Sequence, residues 1–398
     1  MVSRQPADIG SRGIDRGTAV KPGLRIAVIG SRGIPAGYGG FETFAQELAP
    51  RLVERGHDVT VYCREGYTAG ETLEDYKGVK LVHTPALHSR SLEQLSHELA
   101  SIIDSGPRHF DLYYFLGYRG APFYLSVRAA GKLVIDNTDG LEWRRRKWNW
   151  LGRTYLRTAE WIVARLGADE LISDAEAIRQ YFLRTYGRDS RYLTNGAYTF
   201  EASAMQPEVL ERYEVKAGGY YLVACRIEPE NNIDVIVREF VASGSDKELI
   251  VAGGMNYETP FWQGLQQLAP GRRVRFLGPV YGPMLIESLH LGAYGYLHGH
   301  EVGGTNPALL KAMGCGNLVI ALDTEFNSEN LADTGRYFSK APGSLAEQIR
   351  WADAHPREAA VLGKAARERI RAHYTWDSVA DKHDAFFREV ARKRGFDV

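Results

Sequence analysis

The chain has 398 residues, 44% of them hydrophobic and 25% charged, with 49 Lys+Arg balancing 49 Asp+Glu. At ~150 residues per domain this leaves room for two or three domains, and so for separate cores with a cleft between them. Zero net charge argues against a dedicated nucleic-acid binder, and no apolar run approaches the ~20 residues that span a bilayer.

Residues 1–22 are polar, lack the apolar centre of a secretory signal and read as a disordered tail. LRIAVIG at 24–30 is a continuous apolar run ending in Gly, the pattern of a buried parallel strand. A glycine-rich loop, a stretch with helical apolar spacing and a second strand, DVTVYC at 58–63, follow it. This strand–loop–helix–strand unit predicts a doubly wound α/β domain. Further strands are expected at 79–83, 111–116, 132–136, 169–173 and 191–193. The pattern restarts with YYLVACR at 220–226, a helix at 233–240, and strands at 248–254, 274–278, 295–299 and 318–323. The division is therefore a first Rossmann-like domain at 23–205, a linker within 199–219 and a second Rossmann-like domain at 216–375. An amphipathic helix within 376–398 is expected to pack back toward the first domain. Cys63, Cys225 and Cys315 are odd in number and lack CxxC spacing, so they read as buried small side chains rather than a disulfide or zinc set.

Two loops carry the chemistry. Gly30, Gly33, Gly37, Gly39 and Gly40 lie between the first strand and the first helix. Glycines there let backbone N–H groups approach an anion or a sugar. The spacing matches neither G-x-G-x-x-G nor a GK[ST] phosphate loop, which disfavours a nicotinamide or P-loop reading. The second loop is HGHEVGGTNPALLKAMGCG at 298–316. Gly303 and Gly304 precede Thr305, Asn306 and Pro307, a start signal for a short helix whose N–H groups could face a phosphate without a metal. His298 and His300 read as structural or ligand-positioning; no partner has metal-ligand spacing. Arg226, after the first strand of the second domain, could grip a diphosphate through its forked guanidinium, or pair with Glu228 or Glu230 on the surface.

The chain resembles a family 4 glycosyltransferase of the two-domain GT-B fold, in the branch of bacterial β-1,4-rhamnosyltransferases that build capsule and cell-wall polysaccharide. The resemblance rests on VIGSRGIPAGYGGFETF (28–44), DGLEW and RRRKW (139–148), LISDAEAI (171–178), CRIEPENNID (225–234) and the 298–316 loop. It implies metal-independent transfer with retention, a nucleotide-sugar donor held by the second domain and a glycan acceptor held by the first. The implied catalytic residues are Asp139 and Arg226. The implied donor set is Gly39, Gly40, Arg226, Asn231, His298, Gly303, Gly304, Thr305 and Lys311, with no cofactor beyond the donor, itself a dTDP-linked sugar such as rhamnose in this branch. The acceptor set is Tyr38, Glu42, Glu142 and Trp143. One departure is sharp: Lys311 and Gly303 stand where family members carry two Glu residues. Lys311 cannot accept hydrogen bonds from ribose as a carboxylate does. That departure keeps a second reading open, a non-catalytic sugar-nucleotide-binding partner of another transferase.

The run WRRRKWNWLGRTYLR at 143–157 has six Lys/Arg and no acid. Basic residues mixed with Trp suit an anionic membrane surface; nucleic-acid binding and a solvated or core-packed helix are the alternatives, and the family resemblance of DGLEW and KW implies that some of these residues line the acceptor cleft instead. The resulting expectation is a cytoplasmic protein peripheral at the inner face of the cell membrane, acting on a lipid-linked or growing cell-surface glycan, with no nucleic acid and no metal.

Overall fold

The computed structural model describes residues 23–398 apart from 38, 68–72, 90–91, 146–147, 255–259, 269–270, 272, 281 and 283. The tail read at 1–22, Tyr38, and Arg146 and Lys147 of the basic run lie outside the described residues.

Strands β1 (Arg25–Ile29), β2 (Asp58–Arg64), β3 (Asp75–Tyr76), β4 (Val79–Thr84), β5 (Leu112–Leu116), β6 (Leu133–Asn137), β7 (Glu170–Ser173) and β8 (Arg191–Tyr192) form one sheet. Its order is β3-β4-β2-β1-β5-β6-β7-β8. All pairs are parallel except β3 with β4. Strands β9 (Tyr220–Ala224), β10 (Glu248–Ala252), β11 (Val274–Gly278), β12 (Gly295–His298), β13 (Leu318–Leu322) and β14 (Arg336–Phe338) form a second, wholly parallel sheet. Its order is β11-β10-β9-β12-β13-β14. Each sheet is wound outward in both directions from its first strand, and each is Rossmann-like.

The strands are apolar on both sides because helices cover both sheet faces. Neighbouring residues point to opposite cores: Val28, Val61 and Tyr114 to one, Ala27, Tyr62 and Phe115 to the other. The second sheet repeats this, with Leu297 and Ile320 on one side and Tyr296 and Val319 on the other. β3 and β14 were not anticipated; at two and three residues they are too short to show a period.

Two segments tie the halves together. Helix Pro207–Arg212, within the stretch expected to be linker, buries Val209 and Leu210 in the second domain's core. Helix Trp376–Lys393 crosses back and buries Trp376, Val379, Phe386, Phe387 and Val390 against the first sheet. Fully burying side chains of this size stabilises by about 1.5–3 kcal/mol each. Arg51, Arg55 and His57 meet Asp377, Asp381 and Asp384 along its polar edge. The cysteines are free, Cys63 and Cys315 buried and Cys225 half-buried.

Candidate functional site

In an open α/β sheet, ligands gather where the strand order reverses, outside the carboxyl ends of the strands. The first sheet reverses between β1 and β5, and the second between β9 and β12. Both glycine loops leave the sheets at these points: 30–40 after β1, and 299–305 after β12. The two domains meet there. A Cβ built on Gly140 of the first would lie 3.0 Å from the Cα of Gly303 in the second, so the contact is too tight for a side chain on Gly140.

On the second-domain side, Arg226 is exposed and pairs with Glu228 at 3.3 Å. Asn231 does not face the cleft: it is buried, and its side-chain amide donates to the Arg226 carbonyl at 2.7 Å, fixing the turn that carries the guanidinium. His298 is withdrawn further. It is completely buried at the end of β12, with its ring stacked on His300 at 4.4 Å. His300, half-buried above it, is the cleft histidine. Burial, then the charges of Arg226 and Arg145, push its pKa down to about 3. Gly303 has φ +146, a backbone conformation that favours glycine. Thr305 differs from expectation, because its N–H is donated to Asp174 of the first domain at 2.9 Å. The amides left to meet an anion are therefore those of Gly303 and Gly304. Asn306 caps the helix Pro307–Gly314, accepting from Ala308 N–H at 2.9 Å.

On the first-domain side, Gly39 lies against an internal ion pair. A Cβ there would fall 1.8 Å from Glu42 Oε2. Glu42 is buried and accepts from the Arg32 backbone N–H at 2.9 Å and its Nε at 3.0 Å, so it braces the glycine loop rather than facing an acceptor. Gly40, the first residue of helix Gly40–Glu54, has open space where a Cβ would be. Asp139 follows β6 with φ +50, a left-handed conformation uncommon outside glycine. Burial raises its carboxyl pKa and Glu142 adds to the rise, while Arg145 opposes it. Glu142 likewise turns inward. It accepts from Arg119 Nη2 at 2.6 Å and Trp148 Nε1 at 3.1 Å, and pairs with Arg145 Nε at 2.7 Å. Its place in the acceptor set becomes that of an anchor for two arginines.

Arg145, which the sequence left inside a basic run, is the residue this network aims. Burial disfavours its charge, but Glu142, Asp139 and, from the second domain, Glu228 and Glu230 outweigh burial and hold its pKa above the ordinary value. Arg145, Arg226 and His300 thus converge from both domains beside Asp139. Trp143 is positioned by Glu160, which accepts its Nε1 at 3.1 Å, and is flanked by Arg144 at 5.4 Å and Arg157 at 5.0 Å from its ring centre. It lines a cavity of about 650 Å³ with Arg144 and Arg153 of the first domain and Glu230, Glu301, Val302, Thr324, Glu325 and Phe326 of the second. That volume is in the range of small-molecule sites. Lys311 is paired with Glu287 of helix Leu285–Gly292 at 2.5 Å.

Sequence comparison divides the chain the same way. Residues 24–199 match a family model described as "Domain of unknown function (DUF1972)", and residues 238–384 match one described as "Glycosyl transferase-like". Among curated proteins none matches by sequence. Sucrose-phosphate synthase from Thermosynechococcus elongatus is similar in structure, at TM-score 0.77 and 17% identity over 93% of this chain and 100% of that one. Anabaena HepE, solved in complex with UDP and glucose, has TM-score 0.71 and 17% identity over 92% and 100%. The α,α-trehalose 6-phosphate synthase of Burkholderia multivorans has TM-score 0.70 and 13% identity over 93% and 98%. The chain therefore has the two-domain GT-B fold of these glycosyltransferases, with a glycosyl transferase-like domain over residues 238–384.

Proposed function

We propose that the protein moves a sugar from a nucleoside-diphosphate donor to a hydroxyl of a growing, lipid-linked cell-surface glycan, with retention of configuration and without a metal. One observation carries the reading: Arg226, Arg145 and His300 converge on the interdomain cleft beside the Gly303–Gly304 amides and Asp139. Cleaving the sugar–phosphate bond builds negative charge on the departing diphosphate. Donors fixed in place before reaction stabilise that charge most effectively. Arg226 and Arg145 supply charge-assisted forks, and the glycine amides complete the set. Asp139 orients the sugar or the incoming hydroxyl. The leaving phosphate oxygen takes the acceptor proton, so no enzymic nucleophile is required. HepE was solved with UDP-glucose, which supports a nucleotide-sugar donor in this fold; for this chain the sequence branch favours rhamnose and a dTDP-linked donor.

Membrane attachment is part of the proposal. Among the described residues no helix is long and apolar enough to cross a membrane. Helix Trp150–Ile162 instead exposes Trp150, Leu151 and Trp161, with the exposed Arg165 just beyond its end, an amphipathic edge suited to anionic lipid.

A second reading, a sugar-nucleotide-binding partner without turnover, is favoured by Lys311 and its pairing with Glu287. UDP-, dTDP- and GDP-sugars offered with a lipid-linked acceptor separate the two. Glycan product supports transfer, and nucleotide binding without product supports the second reading. A large gain in donor affinity in Lys311→Glu would also favour the second.

A further inference from the structure

The start of the second-domain loop's helix is held by the first domain at three atoms. Thr305 N–H is donated to Asp174 Oδ2 at 2.9 Å, its hydroxyl to the Asp174 carbonyl, and its own carbonyl accepts from Asn195 Nδ2 at 3.1 Å. The opposite arrangement lies nearby. Helix Glu176–Tyr186 of the first domain begins at Ala175, which offers no side-chain cap. Its first N–H, of Glu176, is donated to both carboxylate oxygens of Glu329 in the second domain, at 3.0 and 2.9 Å. Each domain thus supplies a carboxylate to backbone at the head of a helix in the other. Glu329 satisfies an otherwise orphaned N–H in the first turn of its helix, while Asp174 holds Thr305, the residue just before the Asn306 cap. Gly304 is part of the fit: a Cβ on it would lie 1.8 Å from Asp174 Oδ1.

The geometry points to Asp174 and Glu329 as a reciprocal pair of positioning residues that lock the Gly303–Thr305 loop against the first domain, so that the diphosphate site exists only when both contacts are made. Neither touches the donor. They act through the loop: Asp174 fixes where Thr305 begins, and Thr305 fixes the glycine amides beside Arg145 and Asp139. Glu329 fixes the other edge, holding the Asp174–Glu176 segment that carries the first contact. The inference rests on the reading of this cleft as a nucleoside-diphosphate site.

The test uses the full chain with UDP, dTDP and GDP as calorimetric probes, and small-angle scattering of the ligand-free protein. Asp174→Ala with Glu329→Ala should weaken binding of whichever nucleotide the wild type takes by roughly tenfold or more. It should also enlarge the ligand-free radius of gyration as the domains part. Asp174→Asn, which keeps an acceptor oxygen for Thr305 N–H, should restore affinity. Gly304→Ala, which leaves both carboxylates in the chain and pushes Asp174 away, should weaken binding as the double variant does. Unchanged nucleotide affinity and unchanged scattering in folded Asp174→Ala/Glu329→Ala overturn the inference, as does a fall in melting temperature with no change in affinity. If the wild type binds none of the three nucleotides, the reading of the cleft fails first and the inference with it. Enlarged scattering would then still record the contacts as a plain domain clasp without a donor role.

Discussion

Arg226 is exposed and, among the described residues, is paired with Glu228 at 3.3 Å. Such a pair adds little to stability, on the order of 1 kcal/mol or less, so the side chain is free to move onto an anion. Arg226→Ala should therefore leave the melting temperature nearly unchanged while lowering turnover far more than tenfold. Unchanged turnover would remove Arg226 from the site. Glu98 behaves differently. It is fully buried, accepts from Gln94 Nε2 and Tyr124 OH, and burial lifts its pKa from 4.5 to about 7. The folded chain then keeps a proton that the unfolded chain releases. This contribution to stability is complete below the unfolded value and is lost as pH rises through the folded one, by about 1.4 kcal/mol per unit across that window. Gln has no such proton to lose. Glu98→Gln should gain on the wild type in melting temperature between about pH 5 and about pH 8, and parallel curves would show that Glu98 titrates normally.

At the scale of elements, the basic run at 143–157 splits into two jobs that its composition could not separate. Arg145 turns into the cleft, and Arg144 and Arg157 stack on Trp143. Arg153 joins Trp143 and Arg144 in lining the interdomain cavity, whereas Trp150 is exposed, as are Trp161 and Arg165 just beyond the run. A cation near an anionic surface is worth about 1 kcal/mol, so replacing Arg165 by Gln should weaken vesicle binding by roughly fivefold. Cosedimentation with phosphatidylglycerol vesicles at low salt measures this. Equal binding by the variant, or none by the wild type, would count against this helix as the membrane face. The strands were legible because parallel strands buried on both sides read as unbroken apolar runs. The roles of Glu42 and Glu142 were not. A motif shows that an acid is present, but not that Arg32 or Arg119 and Arg145 have already engaged it.

For the whole molecule, the two sheets bring their order reversals to one cleft, and the long-range pairs there explain why part of the site was hidden. Asp174 and Thr305 are 131 positions apart, and Glu176 and Glu329 are 153 apart. Neither pair has a local pattern that marks it. Asp174 stands in LISDAEAI as an ordinary strand-end acid, and Glu329 as one of two acids in a short helix. Arg145 was concealed for a different reason, because a cluster of cations does not say which one turns inward. The glycine loops, by contrast, were visible since their backbone freedom is written in the residue type.

The claim that this cleft transfers a sugar from a nucleoside diphosphate is tested most directly by following donor consumption and glycan formation with UDP-, dTDP- and GDP-sugars and a lipid-linked acceptor, for wild type and Arg226→Ala side by side. The wild type should consume a donor with release of its nucleoside diphosphate and a matching amount of glycan, and the variant should lose far more than tenfold of that rate. Nucleotide binding with no product from any donor, or equal rates in the two proteins, would contradict it.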